Sequence, residues 1–420
     1  MATVFIVLTG GAFLTGLALS LGASDFEIGL LGAIPFLAQA LQLIGAYIID
    51  LTGRKKLIAI RSLFIARQIW WLLLPLPLVK GEWRLTVLIA VLGLSSLAAT
   101  MGAVGWISWI ADLIPERVRG RYLGFRNAAI AGATIAATLT GGAILDHFEK
   151  SELGPYGFST IITLACLFAL GALIVMRRIP EGPRTRIENE YSWKTVLEPF
   201  SRGKFTQLIT IFIVWNFALG VSAAFFAAHM LTNLKMSFTQ ISLYVSGASL
   251  VTVMLSRPWG AIIDRFGTKP VITLCAFGIA VVPLIWWFPR PGNLGVLAFE
   301  AVYSGALWAG FNLAAFNLPI AYSPAGNRTV YLSAISVTSG LAFFMASLMG
   351  GFLSEKWGWI HWQLGPQVIV NYHLLFGISS VLRLFGAFLI LGFQDSLAKG
   401  VPVIVQYFGD SILKRLPISR

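Results

Sequence analysis

Two aspartates, Asp50 and Asp264, each close a long apolar run. Each is followed three residues later by a glycine, Gly53 or Gly267, and five residues later by a lysine, Lys55 or Lys269. A carboxylate at a helix end can accept hydrogen bonds from the first amides of a neighbouring helix, where the helix dipole favours negative charge. A glycine there allows the tight reversal between two antiparallel helices. This is the chemistry of a reversible latch. A second chemistry is offered by Glu300, a carboxylate inside an apolar run. Such a group is costly to keep charged away from water, so it can take up and release a proton. Arg67 and Arg383 lie similarly deep in apolar runs, where pairing or hydrogen bonds to carbonyls is the expected role.

The elements that position these residues follow from composition. The 420 residues are 57% hydrophobic and 12% charged, with a mean hydropathy of +0.79. A soluble domain carries roughly 25% charge, so the solvent of this chain is lipid. The apolar runs reach roughly 20 residues, which suits spanning helices and not the shorter alternating strands of a barrel. Twelve spans are expected. The first six cover roughly 3–22, 28–50, 57–79, 85–113, 122–145 and 157–176. The second six cover roughly 205–230, 238–264, 270–288, 294–322, 329–354 and 371–393. The expected organisation is therefore an N-terminal bundle (1–176), a polar linker (177–204), a C-terminal bundle (205–393) and a tail (394–420).

The formal net charge of +13 reflects basic loops and not a nucleic-acid partner. Arg54, Lys55 and Lys56, Arg117 to Arg121, the linker, Arg265, Lys269, Arg328 and the tail's Lys414 and Arg415 fall on one side. That side is expected to be cytoplasmic, with both termini there and the chain in the cell (inner) membrane. Trp70, Trp71, Trp286, Trp287, Trp357 and Trp359 fall near the opposite ends of spans, as an aromatic belt would. Cys166 and Cys275 sit in apolar runs, and the four histidines lack metal-ligand spacing, so no metal or cofactor is expected.

The two halves are related in sequence. Asp50, Gly53 and Lys55 recur at a shift of 214 as Asp264, Gly267 and Lys269. Pro115, Arg119, Tyr122, Leu123, Gly141 and Gly142 recur at a shift of 209 as Pro324, Arg328, Tyr331, Leu332, Gly350 and Gly351. Parallel six-helix repeats are a known transporter plan.

With these motifs the chain resembles the major facilitator superfamily. The family's loop motif after the second and eighth spans runs Gly-x-x-x-Asp-Arg-x-Gly-Arg-Lys. The second copy keeps Gly260, Asp264, Arg265 and Gly267; the first keeps Asp50, Gly53, Arg54 and Lys55, with Ala46 and Leu51 as departures. Arg119-Gly120-Arg121 resembles the family's loop after span four. The resemblance implies an all-α membrane protein of twelve transmembrane helices in two pseudo-symmetric six-helix bundles. It implies that Asp50 locks the outward-facing state across the two halves, and that Arg54 pairs with Asp112. It also implies a monomeric secondary transporter, moving a small solute by alternating access, with spans one, four, seven and ten lining the cavity. Glu300 is then the proton-coupling candidate, and Asn216, Tyr303, Trp308 and Asn312 are cavity candidates. The missing proline before Leu139-Thr140-Gly141-Gly142 weakens a drug/proton antiporter reading. Two other readings remain at this point: a polytopic enzyme on lipid-linked substrates, and a transporter-like sensor.

Overall fold

The computed structural model describes residues 1–151, 153–181, 193–324 and 327–394. The 182–192 part of the linker and the tail from 395 lie outside the described residues, as do the side chains of Asp50 and Arg119.

Twelve spans form two six-helix bundles. In the first bundle three spans are interrupted. The first consists of α1 (Ala2–Leu8) and α2 (Gly11–Ser20), bent by 42°. The break falls at Gly10 and Gly11, the latter with φ +52°, a conformation glycine adopts freely. The second span is α3 (Asp25–Gln39) and α4 (Gln42–Thr52). The third is α5 (Lys55–Gln68), tightened into a 3-10 turn over Ile69–Leu73. Then come α6 (Trp83–Leu113), α7 (Glu116–Glu149) and α8 (Gly154–Arg178). A short linker helix, α9 (Trp193–Ser201), precedes the second bundle. That bundle contains α10 (Gly203–Thr232), α11 (Phe238–Phe266), α12 (Thr268–Ile285), α13 (Gly295–Tyr322), α14 (Arg328–Lys356) and α15 (Asn371–Gly392). Between α14 and α15 a hairpin of β1 (His361–Leu364) and β2 (Gln367–Val370) pairs antiparallel.

The bundles meet asymmetrically. On the Lys/Arg-rich side each keeps its own core. One is built on Ala59, Leu63, Trp109 and Leu173 of the first bundle, the other on Phe205, Trp215, Phe266 and Tyr331 of the second. On the opposite side the core is shared: Ile28 of α3 is buried with Val221, Phe225, Met230 and Phe376. The basic-side half of α7 is exposed almost residue by residue from Arg121 to Ala129, so no helix among the described residues covers it there. The described state is thus closed on the side opposite the basic loops and parted on the basic side.

Glycines permit the close approach on the closed side. A Cβ on Gly29 of α3 would lie 2.6 Å from the Ser347 carbonyl of α14, and one on Gly351 would lie 2.9 Å from Phe26 Cα. A Cβ on Gly142 of α7 would lie 2.7 Å from the Phe238 carbonyl of α11. Close backbone packing through small residues is the usual route to tight helix contacts in lipid. The Gly-Gly pairs repeated between the halves therefore mark two equivalent seams, α7 against α11 and α14 against α3.

The tryptophan belt is only partial. Trp359 is 71% exposed, but Trp70 and Trp286 are each 2% exposed and packed inside their bundles. Trp70 donates its indole N–H to Ser95 Oγ at 2.9 Å, a partner the linear sequence does not announce.

Candidate functional site

The repeated loops form tight reversals. Gly53 ends α4 at φ +61°, and Gly267 ends α11 at φ +94°. The sequence resemblance paired Arg54 with Asp112, but the structure pairs Asp112 with Lys55, whose Nζ lies 2.6 Å from Asp112 Oδ2. The reason is local. Arg54 is the N-cap of α5, outside the helix, whereas Lys55 is the first helical residue of a helix packed along α6. Lys56 turns elsewhere, donating to the Arg177 carbonyl and lying 5.6 Å over the Trp109 ring. In the second loop Asp264 is exposed and the Arg265 guanidinium lies 5.3 Å over the Phe266 ring. A Cβ at Gly260 would meet open space, so no close approach explains that glycine.

The buried charges of the second bundle converge on one cavity of about 400 Å³. Glu300, 1% exposed, lies about a turn and a half inside the start of α13 and accepts a hydrogen bond from Tyr244 Oη of α11 at 2.5 Å. Arg383 of α15, 3% exposed, lines the same cavity. Its Nη2 donates to Ser222 Oγ at 3.1 Å and its Nη1 reaches the Ile279 carbonyl at 3.5 Å, while its Nε has no protein partner. Phe226, Trp286, Trp308 and Phe343 supply aromatic walls. A carboxyl group and a guanidinium held in one aromatic cavity can bind a polar solute, and the carboxyl group can exchange a proton.

The other cavity candidates divide. Trp308 lines the cavity, and Asn312 lies one turn further along the same face of α13, exposed. Tyr303 is turned away, its hydroxyl donating to the Gly278 carbonyl of α12 at 3.2 Å. Asn216 spends its amide on the Phe212 carbonyl of its own helix. Arg67 is buried in the first bundle, 8% exposed, and does not join this cavity. His229, in the last turn of α10, is 1% exposed, its ring 4.9 Å from that of His373.

Two carboxylates that sequence reasoning did not single out cross the seams on the closed side. Asp25, the first residue of α3, accepts from Tyr372 Oη at 2.6 Å, and from Ser354 Oγ and Asn371 Nδ2 at 2.8 Å each. Asp146, near the end of α7, accepts from the backbone N–H groups of Phe238 at 2.8 Å and Thr239 at 2.9 Å. A signal was present: Ser24-x-x-Glu27 and Ser237-x-x-Gln240 each precede an apolar run and read as capping boxes. Both boxes form, which marks the two helix N-termini where the seams meet.

The comparisons with known proteins agree with this architecture. The model of the Major Facilitator Superfamily matches residues 1–227 and 216–403. An uncharacterized MFS-type transporter of Methanocaldococcus jannaschii is 24% identical over 382 residues, 87% of each chain. The minor myo-inositol transporter IolF of Bacillus subtilis is 27% identical over 242 residues, 52% of this chain and 51% of the relative. The crystal structure of a D-xylose–proton symporter superposes with a TM-score of 0.69 at 17% identity, covering 94% of this chain and 96% of that one. Matched by the family model in both halves, and built as two six-helix bundles around a shared seam, the chain belongs to the Major Facilitator Superfamily.

Proposed function

We propose that this chain is a proton-coupled secondary transporter whose solute is recognised in the cavity around Glu300 and Arg383. The observation that carries the coupling is the buried Glu300 carboxylate, tied to Tyr244 and sharing its cavity with a buried guanidinium. Alternating access follows from two bundles that are joined on one side and parted on the other. The basic side is the cytoplasmic one, both termini lie there, and the described state is open toward it. The bilayer is the cell membrane, and the working unit is a monomer.

The cavity's chemistry favours a small solute that is neutral overall. Glu300 and Arg383 can hydrogen-bond hydroxyl groups, while Trp308 and Phe226 offer flat apolar faces to a ring. Hydroxylated ring compounds are the class that fits, and myo-inositol, the solute in the name of one matching relative, is the first probe. The test is uptake into proteoliposomes with an imposed pH gradient. Wild-type uptake should follow the gradient. Glu300→Gln should retain counterflow but lose the response to the gradient; an unchanged response would refute the coupling role of Glu300.

A further inference from the structure

We propose that Asp25 and Asp146 are the two gate residues on the face opposite the basic loops, each closing one seam between the bundles. The proposal rests on the transporter reading and identifies which side chains control access from that face.

Each carboxylate belongs to the first bundle, and its cross-seam donors all belong to the second. Both oxygens of each are engaged, Asp25 Oδ1 by Tyr372 and Oδ2 by Ser354 and Asn371, Asp146 Oδ1 by Phe238 and Oδ2 by Thr239. The donors are also bonded to one another within the second bundle. Asn371 Nδ2 also bonds Ser354 Oγ and the Ser354 carbonyl, and its Oδ1 accepts from the Tyr372 N–H. Ser354, Asn371 and Tyr372 are all buried.

The second seam is prepared by helix capping. A helix begins with N–H groups that have no partner within it. In α11 the Ser237 side chain takes the Gln240 N–H, leaving those of Phe238 and Thr239. These are the two amides that Asp146 accepts, and the positive end of the α11 dipole favours the charge there. Gly142, one turn before Asp146, and Gly351, against Asp25 and Phe26, let the backbones come close enough for both sets of bonds.

Opening this face requires the five bonds to these carboxylates to break and both carboxylates to rehydrate. Water can satisfy an exposed carboxylate, so the latch is reversible. Neutralising either acid removes charge-assisted bonds that are worth more than neutral ones. At Asp146 an amide would also turn a donor toward backbone N–H groups.

The experiment is pulsed electron paramagnetic resonance on the full-length protein in nanodiscs. Nitroxides go on Glu149→Cys and Trp362→Cys, exposed positions at the outer ends of the two bundles; the native Cys166 and Cys275 are buried. The wild-type background should show mainly the short distance. Asp25→Asn and Asp146→Asn should each raise the ratio of long to short distance about tenfold, the equivalent of one charge-assisted bond. Tyr372→Phe, which keeps the charge and removes a single donor, should shift it in the same direction by less. Unchanged distances in the folded Asn variants would overturn the proposal. Should an Asn variant misfold, unchanged distances in Tyr372→Phe and Ser354→Ala would overturn it for Asp25, and those in Thr239→Pro for Asp146. Absence of counterflow by the wild type with every solute tried would refute the transporter reading while leaving the distance result intact.

Discussion

Replacing Gly29 with alanine should push the protein toward its opposite conformation without unfolding it. The added Cβ would lie 2.6 Å from the Ser347 carbonyl oxygen, 3.1 Å from Gly351 Cα and 3.3 Å from Gly351 N. All three are backbone atoms of α14, so no rotamer change relieves the contact. Overpacking of this kind costs about 1–3 kcal/mol. Because α3 and α14 belong to different bundles, parting the seam removes the strain, and the strain becomes a bias on the conformational equilibrium. The long-to-short distance ratio at the outer face should rise about 5- to 150-fold. Gly350→Ala is the control: its Cβ would collide with the Val221 carbonyl of α10, inside the same bundle. That strain has no rigid-body escape and should lower the melting temperature instead. The assay is the outer-face distance distribution together with thermal unfolding of both variants. If Gly29→Ala leaves the distances unchanged and only melts earlier, as Gly350→Ala does, the account of the seam as a parting surface is refuted.

Further outcomes follow from the basic side. In a double-mutant cycle on thermal stability, Lys55→Ala and Asp112→Ala should couple by about 0.5–1 kcal/mol, whereas Arg54→Ala and Asp112→Ala should be additive; stronger coupling through Arg54 would reverse the assignment. Glu198 of α9 anchors the linker helix by accepting from Arg202 Nη2 and, at 3.1 Å, from Asn327 Nδ2. Partial desolvation pushes its carboxyl up, but the hydrogen bonds from Arg202 and Asn327 and the Arg202 charge outweigh it, leaving it below the usual carboxylate range. A depressed value means that the anchoring is complete above the unfolded glutamate value of about 4.3 and fades as pH falls through the lower folded one. The protection factors of the α9 amides, with the intrinsic pH dependence of exchange divided out, should therefore fall below about pH 4 in the wild type, and Glu198→Gln should lower them at neutral pH with a flatter pH profile. An α9 that exchanges equally in both at pH 7 would remove Glu198 from that role.

The span pattern was readable because lipid demands long, uninterrupted apolar helices, and few other signals compete with that one. Boundaries of the later spans, such as α10 at Gly203–Thr232 and α14 at Arg328–Lys356, lie within about two residues of the expected ones. The first three spans were harder. Their breaks at Gly10, at Ala40 to Leu41 and after Gln68 interrupt helical geometry without interrupting hydrophobicity. At the site, Glu300 stood out because a charge in an apolar run is rare. That it shares a cavity with Arg383 depends on how α13 and α15 face each other, which the pattern along either helix does not encode. Tyr303 and Asn216 are cavity candidates by type, and each donates to a nearby backbone carbonyl that the sequence pattern does not reveal. Lys55 was displaced by Arg54 for a similar reason: adjacent basic residues differ only in where the turn points them. Asp25 and Asp146 escaped notice because both sit at span ends, where acids are ordinary.

The two seams differ in what evolution can change. At Asp25 the donors are side chains of Ser354, Asn371 and Tyr372, so single substitutions can add or remove bonds one at a time. At Asp146 the donors are main-chain amides, which most substitutions at Phe238 or Thr239 leave in place. Drift in the second bundle's sequence would therefore retune the first seam in graded steps while the second holds nearly constant. A relative could thus acquire a different dwell time in the closed state, and hence a different turnover, through exchanges in α14 and α15 alone. The cavity that chooses the solute would be untouched.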